Sequence, residues 1–108
     1  MRQQHPGQLS VAINHNTSGD NTLVAAVAGK KIRVLSCFMI AAGTVSARFE
    51  SGAGGTALTG QMPLIANSGF TANYNSAGWF ETAAGAALNL ELSAAIGVHG
   101  VLNYDLVE

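Results

Sequence analysis

The sequence predicts an all-β fold: an antiparallel β-sandwich, jelly-roll-like, of about eight short strands with an extended N-terminal arm. Three observations lead there. Apolar residues recur at every second position in one segment after another, the period of a half-buried strand. Gly, Asn, Ser and Asp interrupt these segments at intervals of about 8 to 12 residues, the spacing of a sandwich or barrel. No stretch leaves room for the crossover helices of a parallel sheet. At 108 residues the chain supports one domain, because two halves of about 50 residues would each struggle to bury a core.

Residues 1–8 read as the arm and residues 9–108 as the domain. Pro6 lacks a backbone donor and biases His5 away from helix, and Gly7 adds freedom. Leu9, Val11 and Ile13 then alternate with Ser10, Ala12 and Asn14. Residues 16–21 are expected to form a loop, and residues 23–28 a short strand closed by Gly29. In the clearest strand, Ile32, Val34, Ser36, Phe38 and Ile40 share one face and Lys31, Arg33, Leu35, Cys37 and Met39 the other. It is polar on one side at its start and apolar on both at its end, so it should run from the rim into a doubly covered position. Val45, Ala47 and Phe49 alternate with Thr44, Ser46, Arg48 and Glu50, a half-exposed strand expected to form a hairpin with the one before.

Beyond the glycine-rich loop at residues 51–55 and a short segment at 56–59, Pro63 marks an edge strand. Residues 69–74 and 78–82 bracket the turn Asn75-Ser76-Ala77 and hold Phe70, Tyr74, Trp79 and Phe80, four of the seven aromatics. Residues 83–95 contain good helix formers, but Leu88, Leu90 and Leu92 recur every second residue and Gly85 interrupts any helix, so residues 86–93 read as a strand. In the last segment Val98, Gly100, Leu102, Tyr104 and Leu106 face one way and His99, Val101, Asn103, Asp105 and Val107 the other.

Composition narrows the function. Only 10% of residues are charged, against about 25% in an average domain, while alanine and glycine exceed a quarter of the chain. Such a surface repels neighbours weakly, which suits assembly. A net charge of −1 gives no support to nucleic-acid binding through a phosphate-neutralising face. The opening residues lack the apolar core of a signal peptide, and the longest apolar run, residues 34–43, is about half a membrane span, so no membrane partner is expected.

Reactive chemistry is sparse. His5 falls on the arm, His15 in a loop and His99 on a solvated strand face, with no pair at metal-ligand spacing. No metal, cofactor or catalytic residue is therefore assigned. Cys37 has no nearby cation to lower its pKa and reads as a small buried hydrophobe. No Gly-x-Ser-x-Gly elbow occurs, and residues 51–55 lack the Lys-Ser/Thr of a phosphate loop. Lys30, Lys31 and Arg33 form the one basic cluster, read first as a solvated strand entrance and second as a contact for an acidic partner. Glu81 is placed to pair with Arg48 or Arg33. The aromatic group reads first as core, with Trp79 as the alternative anchor of a subunit contact.

The segment Gly78-Trp79-Phe80-Glu81-Thr82-Ala83-Ala84-Gly85-Ala86-Ala87-Leu88-Asn89-Leu90-Glu91-Leu92-Ser93-Ala94-Ala95 resembles a family of small proteins common in tailed-phage genomes. The likeness continues through Ile96-Gly97-Val98-His99-Gly100-Val101-Leu102-Asn103-Tyr104 and includes Ile32-Arg33-Val34-Leu35-Ser36 and Thr56-Ala57-Leu58-Thr59-Gly60, about residues 30–107 in all. The resemblance implies a non-enzymatic β-sandwich of the virion, a capsid cement or decoration protein made in the host bacterial cytoplasm and bound at the capsid surface. Its expected partners are copies of itself, as a homotrimer, and the major capsid protein or another virion protein. Candidate assembly contacts are Arg2, Gln3, Gln4 and His5 of the arm, which lies outside the likeness, with Lys30, Lys31, Arg33 and Trp79. Alternatives are a tail, baseplate or fibre component, and a carbohydrate-binding module using an exposed Trp79 or Tyr74.

Overall fold

A computed structural model describes residues 8–52 and 54–108; the expected arm, apart from Gln8, lies outside the described residues. Those residues form ten strand segments and no helix: β1 (Leu9–His15), β2 (Gly19–Val24), β3 (Lys31–Ala41), β4 (Val45–Ser51), β5 (Thr56–Ala57), β6 (Met62–Leu64), β7 (Gly69–Ala72), β8 (Phe80–Glu81), β9 (Leu88–Leu92) and β10 (Val98–Val107). One sheet runs β1-β10-β3, with β7 and β8 pairing successive stretches of β3. The other runs β2-β9-β4, with β5 and β6 pairing opposite ends of β4. Every pairing is antiparallel, and each sheet has one edge strand broken in two. The fold is an antiparallel β-sandwich.

The two sheets enclose one core. Phe49 of β4 is fully buried, with ring centroids 5.1 Å from Phe80 and 6.2 Å from Phe70 of the facing sheet. Leu88, Leu90 and Leu92 of β9 face inward as their period requires, opposite Ile13, Met39 and Leu102. Pro63 sits on edge segment β6, where its missing N–H disturbs no central ladder. Gly100 of β10 lies so close to β3 that a Cβ there would fall 1.8 Å from the Phe38 carbonyl oxygen, which restricts the position to glycine.

Four local expectations need correction. The strands at 31–41 and 45–51 are not a hairpin: β3 and β4 belong to different sheets, and residues 42–44 carry the chain across. Both strands point apolar side chains into the same core from opposite sides, which a shared sheet would not allow. The second strand starts at Gly19 rather than 23, because Asn21 is buried and its Nδ2 donates to the carbonyls of Thr17, Gly19 and Leu90. His15 ends β1 instead of lying in a loop.

The fourth correction concerns β3. Asn103 pairs with Ser36 and Tyr104 with Val34, so Leu35 is an extra residue and the strand carries a β-bulge. The bulge reverses the alternation. Ile32 and Val34 face the core before it, and Cys37, Met39 and Ala41 face the core after it. Phe38 and Ile40 turn outward, so the end of the strand is covered on one side only. Residues 73–79 pack on the bulge, with the Asn75 and Trp79 amides donating to the carbonyls of Leu35 and Val34 at 2.9 and 2.8 Å.

The contrast between Phe49 and Phe38 gives a stability test. Phe49→Ala is expected to lower the unfolding free energy by about 3–5 kcal/mol, and Phe38→Ala by less than about 1 kcal/mol, in urea denaturation.

Candidate functional site

The outward side of the first sheet follows from its register. Ala12, Val101, Phe38 and Thr71 form one row across β1, β10, β3 and β7. Asn14, His99, Ile40 and Gly69 form the next, and Ser10, Asn103 and Ser36 a third. No Asp, Glu, Lys or Arg lies in these rows. Phe38, Ile40 and Val101 are 47%, 40% and 39% exposed. The polar members bond to one another: Asn103 Nδ2 donates to Ser36 Oγ at 2.8 Å, and His99 Nδ1 lies 3.0 Å from Asn14 Oδ1. Much of their hydrogen bonding therefore survives removal of water from the face.

The outward side of the second sheet is its opposite in chemistry. Asp20, Glu91 and Arg48 form one cross-strand row of β2, β9 and β4, and Thr22, Asn89 and Glu50 the next. Arg48 Nη2 lies 2.7 Å from Glu50 Oε2, and Arg48 Nε 2.8 Å from Glu91 Oε1. Asp20 Oδ2 accepts from the Gly54 amide. Glu50 is fully buried although it points away from the core, so its strand is less exposed than its alternation suggests. Burial pushes the Glu50 carboxyl above the usual range, opposed by Arg48 and reinforced by Asp20 and Glu91. Sequence reading missed this group, because its carboxylates come from three strands far apart in the chain.

The basic cluster is paired with carboxylates distant in sequence. Lys30 pairs with Glu108 at 2.8 Å, and Glu81 receives Arg33 at 3.0 Å and Lys31 at 3.6 Å. Of the two partners considered for Glu81, the structure selects Arg33, its direct cross-strand neighbour. Lys31 and Glu81 border a groove of about 480 Å³ with Ser51, Thr56, Leu58 and Thr82. Its hydroxyls serve the backbone: Thr82 Oγ1 accepts from the Ile32 amide, and Ser51 Oγ from the Ala83 amide, both at 2.9 Å.

The aromatic group divides. Phe70 and Phe80 pack against the core, whereas Tyr74 and Trp79 are half-exposed on the loop at 73–79, where Trp79 Nε1 donates to the Asn73 carbonyl at 2.7 Å. Cys37 is buried, and burial pushes its thiol up to about 12, which keeps it protonated and unreactive. Arg2, Gln3, Gln4 and His5 lie outside the described residues.

Glu50 gives a pH test. A carboxyl with a raised folded-state pKa leaves the native protein binding more protons than the unfolded chain, so stability falls as pH rises from the ordinary carboxylate value of about 4.3 through the raised one. In buffer free of divalent ions, Glu50→Gln is expected to flatten that decline in the urea midpoint. An unchanged slope would contradict the assignment.

Comparison of the chain with protein-family models, with curated proteins and with solved structures finds no match.

Proposed function

We propose that this protein is a non-enzymatic structural component of a phage virion, a capsid decoration protein that assembles as a homotrimer and clamps neighbouring capsid subunits. The observation that carries the reading is the uncharged stretch of the first sheet's outer side, three cross-strand rows in which Phe38, Ile40 and Val101 are exposed together. A face of this kind gains free energy when covered and has no buried charge to desolvate. One patch on a small rigid module yields modest affinity, because association entropy offsets much of it. Symmetric repetition, first within an oligomer and then around a particle, multiplies avidity without further chemistry.

In this reading the arm, through Arg2, Gln3, Gln4 and His5, orders on a neighbouring subunit. Lys30, Lys31 and Arg33 sit at the rim, each in an ion pair with Glu81 or Glu108. The strand order, with ten segments filling four positions in each sheet, favours a jelly-roll description of the sandwich. A place in the tail, baseplate or a fibre would use the same face.

The exposure of Trp79 and Tyr74 on one loop favours a second reading, a carbohydrate-binding module in which these rings stack on sugars. Light scattering coupled to sizing chromatography at micromolar concentration tests the first. Wild type should elute as an oligomer and Phe38→Asp as a folded monomer with a near-unchanged urea midpoint. A wild-type monomer, together with glycan protection of Trp79 from acrylamide quenching, would favour the second reading and overturn the first.

A further inference from the structure

We propose that Asp20, Glu50, Glu91 and Asn89 form a binding site for a divalent cation, calcium by its chemistry, on the outward side of the second sheet. One oxygen from each of the three carboxylates lies within 4.8 Å of the others. Three carboxylates against the single Arg48 guanidinium leave two negative charges, the complement of a divalent ion. Arg48 occupies Glu50 Oε2 and Glu91 Oε1, and the Gly54 amide occupies Asp20 Oδ2. One oxygen of each carboxylate is thereby held in place, and Glu50 Oε1 has no hydrogen-bond partner among the described residues.

Asn89 supplies an independent observation. It is 1% exposed, and its Oδ1 also has no partner among the described residues. The register places it directly opposite Glu50 on one side and Thr22 on the other, on the same face as the carboxylates. Buried acceptors are ordinarily satisfied, so two of them beside a carboxylate cluster call for a positive or proton-donating centre. A cation meets the need of both atoms together, whereas a proton shared among the acids would leave the amide oxygen unmet. The donors are all oxygen, which selects a hard cation over zinc or copper. Asp20 is exposed and Glu91 half-buried, an irregular set open to water that suits calcium better than the strict octahedron of magnesium. The bound ion would tie β2, β4 and β9 together across their outer surface.

Chelator-treated protein titrated with CaCl2 in a calorimeter, with melting followed in parallel, tests the site. One calcium per chain is expected, with a melting temperature raised by several degrees and binding tighter than for MgCl2. Affinity should be higher at pH 7.5 than at pH 5.5, because the ion displaces protons from the carboxyl groups. Asp20→Asn, at an exposed position that tolerates change, should weaken binding about tenfold or more, and Glu50→Gln likewise. No heat and no melting shift at millimolar CaCl2 would overturn the proposal. So would equal affinity in wild type and both variants, which marks adventitious surface binding, or a preference for magnesium, which removes the calcium assignment.

Discussion

An extra residue at Leu35 lets the longest strand, β3, face the core along its whole length while its sequence changes phase midway. Ile32 and Val34 use one alternation; Cys37, Met39 and Ala41 use the other. A regular strand would have to expose one of these sets. Much else follows from that one insertion. The edge of β3 is paired by β8 before the bulge and by β7 after it, and residues 73–79 fill the break. That loop carries Trp79 and Tyr74 outward, and the reversed phase places Phe38 and Ile40 beside Val101 on the outer surface.

The few charges are distributed with equal consequence. Every Lys and Arg among the described residues is in an ion pair, and these pairs lie on the second sheet or at one end of the sandwich. The three outer rows of the first sheet that hold Phe38, Ile40 and Ser36 carry none of them, whereas the outer row Asp105, Arg33 and Glu81 nearer its other end carries the Arg33–Glu81 pair. One sheet thus shows an uncharged stretch with exposed apolar residues, and the other gathers carboxylates. Both surfaces use the same core, since a strand with its inward residues fixed must present the alternate residues to the other side.

Regular alternation was the legible part of the sequence. The leucines of β9 and the inward set of β10 follow their period, and Pro63 marked its edge because a missing donor has a local meaning. The bulge was not legible: Val34-Leu35-Ser36 contains no Gly or Pro to mark it, and the extra residue is defined only by the partner strand. The assignment of β4 to the opposite sheet was hidden for a similar reason, since Ala42-Gly43-Thr44 suits a tight turn or a crossing equally well. The basic run at 30–33 was visible, but Glu81 and Glu108 are brought to it by pairing distant in sequence. Asp20, Glu50 and Glu91 left no spacing signal, because register alone aligns them.

The phase reversal in β3 is tested most directly by thiol labelling of the native protein in dilute solution. Cys37 should react only through opening of the fold. A thiol introduced by Ile40→Cys in a Cys37→Ser background should react on the order of a hundredfold faster or more. Comparable rates at the two positions, or faster labelling of Cys37, would contradict the bulge and with it the outward apolar face.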